Sequence, residues 1–224
     1  MLTLFHGSDQ VLQQPRCDAG RPYNDFGPGL YCTESEELAR EWAAGRGADG
    51  FVNRYSLDEA GLTVLDLGSG AFCPLHWLSV LLANRVFDLR SPLAMEAREY
   101  LLREFLVDVR GVDLVRGHRA DDSYFVVAQE FLEGGISYGQ LRDALALGRE
   151  GEQVVVRTER AFERLRFAGA APAPMAEWLA RRTVRDVRLR KELLGAGQQP
   201  HQEGELFIGT IIDQEVRPGD ERIR

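Results

Sequence analysis

The segment Arg21-Pro-Tyr-Asn-Asp-Phe-Gly-Pro-Gly-Leu-Tyr-Cys-Thr33, coming soon after Leu4-Phe5-His6-Gly7-Ser8, limits the possible folds more than any other stretch of this chain. Residues 2 to 6 and 29 to 33 read as strands. Between them Gly27, Pro28 and Gly29 break the chain, because glycine supplies positive φ and proline fixes a bend. The fold must therefore set two short strands near one another, one ending in His-Gly-Ser and the other carrying Tyr31. Taken singly these residues have plain explanations: His6 as a structural residue at a strand end, Tyr31 as core, Phe-Gly-Pro-Gly as a turn. Their order and spacing, together with a late strand, are what carry meaning.

The remaining pattern predicts an α+β chain. Glu34-Ser35-Glu36-Glu37 starts a helix with Leu38, Trp42 and Ala43 at helical spacing. Phe51 to Leu57 and Leu62 to Leu67 read as strands, residues 74 to 87 and 92 to 106 as helices opened by Pro74 and Pro92, and Asp113 to Val115 as a short buried strand. A helix ends near Leu132 and another, opened by Ser137, runs to about Leu147. Gly151 to Thr158 reads as a late strand, followed by the amphipathic stretch Ala161 to Phe167. Ala168 to Met175 reads as a linker, Met175 to Leu194 as a helix, and Glu205 to Asp213 as a strand before a charged tail. The domains are then 1–170 and a C-terminal helix and tail extension, 171–224.

A strand ending in His-Gly-Ser, a glycine-broken loop and a second strand carrying Tyr suggest a pocket for NAD. His6 would reach a ribose hydroxyl, the backbone of Gly7 would meet the carboxamide, and the Tyr31 ring would stack on the pyridinium face. Ser8 belongs to the same binding set. Arg21 is a candidate phosphate anchor, since a guanidinium meets phosphate oxygens in two-pronged fashion, and Phe26 a candidate apolar wall. His-Gly-Ser with Asp-Phe-Gly-x-Gly-Leu-Tyr-x-Thr resembles the first two thirds of the His-Tyr-Glu signature of ADP-ribosyltransferases. Within that superfamily the chain is similar to a bacterial group long labelled a domain of unknown function, through Trp42, the Leu82 to Phe87 helix end, Asp113-Leu-Val-x-Gly117, Ala120-Asp121-Asp122 and Gln153. The resemblance covers about residues 2 to 167. It implies a split β-sheet core with flanking helices, and transfer of ADP-ribose from NAD to a macromolecule.

The third motif position departs from the superfamily pattern, in which a Glu on the third strand bonds the nicotinamide-ribose 2'-hydroxyl. Here the strand reads Glu150-x-Glu152-Gln153. Gln153, which the narrower group implies, would orient the ribose without supplying charge. Glu152 in that place would put Glu150 on the same strand face, like the paired Glu-x-Glu of transferases that modify side chains or bases. Asp121 and Asp122 near a helix start have a capping explanation, with an acceptor-side role as the alternative; His118 is equally open. Cleaving the nicotinamide C–N bond builds positive charge on the ribose and needs neither a metal nor a covalent nucleophile.

Composition bounds the partners. A formal charge of −8 argues against a generally basic nucleic-acid-binding surface, though not against a local groove. The cluster Arg181-Arg182, Arg185, Arg188, Arg190 and Lys191 reads first as a solvated face beside acidic neighbours. Cys17, Cys32 and Cys73 lack metal-ligand spacing and receive no catalytic role. With no long apolar run and no leader pattern, a cytoplasmic chain without a membrane partner is expected. The family setting implies a bacterial toxin that modifies a nucleic-acid base or a protein side chain, with an antitoxin protein as partner. The alternatives are an NAD glycohydrolase and a non-catalytic NAD- or nucleotide-binding module.

Overall fold

A computed structural model describes residues 1–44, 47–120, 122–147, 152–197 and 204–224. They form a mixed α+β fold with two sheets and eight α-helices among the described residues. The chain divides into two compact units.

The first unit comprises residues 1–66, 109–117 and 150–187 and holds both sheets. Strand β1 (Leu2–Ser8) pairs antiparallel with β3 (Gly50–Leu57), and β3 pairs antiparallel with β7 (Leu165–Ala173). The second sheet runs in the order β2 (Leu30–Cys32), β6 (Glu152–Val156), β5 (Leu114–His118), β4 (Val64–Asp66). Alternation along the strands turns Leu4, Tyr55 and Leu57 of one sheet and Leu30, Cys32, Val154 and Val156 of the other into a shared buried core. Helix α1 (Glu36–Ala43) follows β2; it starts after Ser35, whose hydroxyl accepts the Leu38 N–H at 3.3 Å. Its Ala39 and Ala43 pack with Val52, Ala173 and Trp178 on the outer face of the three-stranded sheet. Trp178 belongs to α7 (Met175–Gly197).

Two sequence expectations are overturned. Of the expected linker Ala168 to Met175, residues 168–173 are strand, because β7 lies at the sheet edge and pairs on one side only, where a proline such as Pro172 is tolerated, and Met175 already opens α7. Gly169 takes φ 133° at the irregular register opposite Arg54 and Tyr55, so the Ala-, Gly- and Pro-rich composition serves an edge strand with a bulge. Glu205 to Asp213 is not a strand: its C-terminal part is α8 (Ile208–Asp213). Ile208 and Ile211, one helical turn apart, are both wholly buried, so packing overrides their β propensity.

The second unit, residues 67–108, 118–149 and 188–224, is helical among its described residues. It contains α2 (Pro74–Asn84), α3 (Pro92–Glu104), α4 (Asp122–Leu132), α5 (Tyr138–Leu147) and α8. Pro74 and Pro92 stand in the first turns of α2 and α3, and Ser91 caps α3 by accepting the Ala94 N–H at 3.1 Å. The segment after α8 is held by Tyr100, whose hydroxyl donates to the Val216 carbonyl at 2.8 Å, and by Tyr138, which donates to the Ile223 carbonyl at 2.6 Å.

One buried carboxylate ties the first unit together. Asp113, just before β5, accepts from the Thr63 N–H and hydroxyl at 2.8 and 2.9 Å and from the Thr158 hydroxyl, and pairs with Arg160 at 3.0 Å. Thr158 also caps the short helix α6 (Glu159–Phe162). Burial alone would push the Asp113 carboxyl up, but the bonds from Thr158 and Thr63 and the Arg160 charge outweigh it and hold it below the usual carboxylate range. A depressed folded value means that stability is present above the unfolded carboxylate range of about 3.9 and is lost as pH falls through the folded value. Asp113→Asn is therefore expected to lower stability by about 2–4 kcal/mol at neutral pH. It should also flatten the acid limb of the unfolding midpoint between neutral pH and about pH 3, followed by circular dichroism.

Candidate functional site

The two sheets of the first unit meet at a seam. Phe5 and Thr33 exchange both backbone hydrogen bonds, at 2.8 and 2.9 Å, as an isolated antiparallel bridge between β1 and the end of β2. Beside it, His6 Nδ1 lies 2.7 Å from the Tyr31 carbonyl. A carbonyl only accepts, so Nδ1 carries the proton, and in the neutral ring Nε2 is the basic nitrogen. Strand periodicity places Gly7 as well: the Phe5 N–H and C=O point at Thr33, so those of Gly7, two residues on, turn to that same edge of β1. A Cβ at Gly7 would fall 2.0 Å from the Ala39 carbonyl oxygen and 2.7 Å from Ala43 N. The glycine thus lets α1 lie directly on β1, a packing role that holds whatever the edge binds.

The loop between β1 and β2 is pinned from beneath. Asn53 of β3, wholly buried, accepts from the Leu12 N–H at 2.7 Å and donates toward Ser8 Oγ at 3.2 Å and the Gln10 carbonyl at 3.1 Å. Tyr55 donates to the Leu12 carbonyl at 2.6 Å. Ser8 is buried and its hydroxyl donates to the Gln10 carbonyl at 2.5 Å, which makes it a loop anchor. Further on, the Cys17 thiol meets the Arg157 carbonyl at 3.0 Å, and Gly20 sits against the Gly29 backbone with no room for a side chain. Arg21 is exposed on this loop.

Residues 24–27 then fold back over β2 and β6. The Tyr31 hydroxyl accepts the Phe26 N–H at 3.0 Å and donates to the Gly27 carbonyl at 2.6 Å. Phe26, the apolar wall expected from sequence, is 0 % exposed at this turn. Tyr31 pairs with Val155, which sets Tyr31, Val155 and Gln153 on one face of the sheet and Val154 and Val156 on the core face. Gln153, 2 % exposed, donates from Nε2 to Asp25 Oδ2 at 3.0 Å; Asp25 is 5 % exposed. Glu152 falls on the opposite face and is exposed. Of the two third-position candidates, Gln153 is thus the one that shares a face with Tyr31.

Other sequence candidates stand apart from this cluster. Asp121 and Glu150 lie outside the described residues, and Asp122 is the first residue of α4. The carbonyl of His118 accepts from Trp77 Nε1 at 2.9 Å. Three arginines of the basic helix are paired with acids: Arg181 with Glu177 at 3.2 Å, Arg182 with Asp186 at 3.5 Å, and Arg185 with Glu41 at 2.6 Å. Burial pushes the Cys32 and Cys73 thiols up, and burial followed by the Glu159 and Asp18 charges pushes Cys17 up, away from the thiolate a nucleophile requires. Among the described residues no group of His, Cys, Asp or Glu is arranged to hold a metal ion, and no helix is long and apolar enough to cross a membrane.

Sequence reading missed two polar residues that build the site. Asp25 lay inside the quoted motif without a role, and Asn53 showed only as a polar residue in an otherwise apolar strand. Tyr31→Phe should strand the Phe26 N–H and Gly27 carbonyl and cost about 1–3 kcal/mol in denaturant unfolding. Gly7→Ala should cost at least as much, because backbone of α1 has to move about an ångström or more to admit the methyl group.

Comparison with curated proteins and with solved structures gives no match. A family model described as protein of unknown function (DUF3990) matches residues 2–167, from the first residue of β1 into β7, so it takes in the seam, the 24–27 turn and Gln153. The chain belongs to the DUF3990 family.

Proposed function

We propose that this chain is an NAD-dependent mono-ADP-ribosyltransferase acting on a macromolecule, with an ADP-ribosyltransferase-like split-sheet core. The observation that carries the reading is the seam, where His6 Nδ1 is held by the Tyr31 carbonyl while Tyr31 and Gln153 share a sheet face. In this reading the Gly7 N–H and C=O, turned to the strand edge, take the nicotinamide carboxamide in two-point fashion. The basic nitrogen of His6 accepts from a ribose hydroxyl, and the Tyr31 ring packs on the pyridinium. Tyr31 needs its hydroxyl for the turn, so its contribution to ligand is the ring. Gln153 orients the ribose 2'-hydroxyl.

The reaction is a displacement at the nicotinamide-ribose C1'. The C1'–N bond breaks with its electron pair going to nicotinamide, which leaves neutral. A lone pair of the acceptor forms the new bond to C1', and the acceptor's proton passes to solvent. Positive charge gathers on the ribose in between, so fixed acceptors and negative charge nearby lower the barrier. The acceptor is a nucleic-acid base or a protein side chain, and the biological setting that fits is a bacterial toxin held in check by an antitoxin protein.

The test is incubation of the purified chain with adenine-labelled NAD and cell lysate, beside His6→Ala. Label on a macromolecule that survives protease and is lost to nuclease identifies a nucleic-acid acceptor; the reverse identifies a protein. Nicotinamide release without macromolecular label means hydrolysis, and neither signal sinks the enzyme reading. Gln153→Ala is expected to cut turnover by on the order of a hundredfold, while Glu152→Ala, on the other face, leaves it within about twofold.

A further inference from the structure

A neutral amide at the third position leaves a transferase site short of negative charge, yet a carboxylate lies against that amide. Asp25 reaches Gln153 from the turn just ahead of β2, not from the third strand, and both side chains are withdrawn from solvent. A carboxylate can only accept, so the amide's orientation is settled by chemistry: Nε2 faces Asp25 and Oε1 is the atom turned elsewhere. Among the described residues the Gln153 side chain makes no other hydrogen bond. Donating Nε2–H to a charged acceptor polarises the amide and raises the electron density on Oε1, and low dielectric strengthens that effect.

Resting on the transferase reading above, we infer that Asp25 is a positioning residue for the reaction. It fixes Gln153 with Oε1 presented to the ribose 2'-hydroxyl and supplies through that amide the negative charge that the third strand lacks. The Asp25–Gln153 pair then does jointly what one glutamate on that strand would do: it offers an acceptor oxygen and carries one charge. The same turn is clasped by Tyr31, so the residue that faces nicotinamide in this reading also holds Asp25 in place.

The pair is tested by moving the charge. Asp25→Asn keeps an acceptor oxygen for Nε2 and removes the charge; kcat for nicotinamide release should fall by roughly tenfold to a hundredfold with KM for NAD within about twofold. Gln153→Glu alone sets two carboxylates against each other and should lower the unfolding midpoint. The double variant Asp25→Asn with Gln153→Glu restores one charge and one amide in the same place. Its midpoint should rise above that of Gln153→Glu, and its kcat should recover to within a few-fold of the parent. Because the double variant is read by stability as well as by turnover, a poorly folding single variant leaves the comparison intact. Parent-like kcat in Asp25→Asn, or a double variant no better than either single one, overturns the inference while leaving the transferase reading in place. A parent chain that neither binds NAD nor releases nicotinamide overturns the transferase reading itself.

Discussion

Two backbone hydrogen bonds between Phe5 and Thr33 are the constraint on which the first unit turns. The strands of each sheet hydrogen-bond along their length, but among the described residues the backbones of β1 and the end of β2 pair at this isolated bridge, so the sheets can part on either side of it while sharing a core. The bridge also sets direction. It turns Phe5 backbone groups to the seam, and strand periodicity then turns those of Gly7 to the same edge. It brings the Tyr31 carbonyl within reach of His6, and that contact selects the ring tautomer. Helix α1 supports the arrangement from behind, which it can do only because Gly7 has no side chain.

Around the seam, buried polar groups hold irregular backbone where apolar packing would leave it undefined. Asn53 serves the loop after β1, Tyr31 the turn at 24–27, and Asp113 the junction of β4, β5 and α6. Each bonds backbone groups that no strand or helix partner satisfies, and leaving such groups buried and unpaired would cost more than the side chain's own desolvation. Asp25 and Gln153 differ from these three in kind. They bond side chain to side chain, a buried carboxylate to a buried amide.

Much of this was legible from residues alone. Strands 2–8, 30–32 and 50–57 follow alternation, and helices α2 and α3 announce themselves through Pro74 and Pro92. His6, Gly7 and Tyr31 could be singled out because an unusual motif sits between two short strands. The failures share a physical cause. The stretch 168–173 has linker composition, and only a place at the sheet edge makes it a strand; Ile208, Ile211 and Ile212 have strand composition, and only burial makes their segment a helix.

The sequence by itself determined the mixed α+β class, the strand–loop–strand opening, and the residue types gathered for a site, since periodicity and turn chemistry are local properties of the chain. Family membership over residues 2–167 agrees with where those patterns lie. Tertiary structure alone decided which face of β6 carries Gln153, that Ser8 and Phe26 are buried, and that a carboxylate from the 24–27 turn lies against β6. Those outcomes depend on strand register and on a contact between residues 25 and 153. Both arise from the pairing of segments far apart in the chain, about which local pattern carries no information.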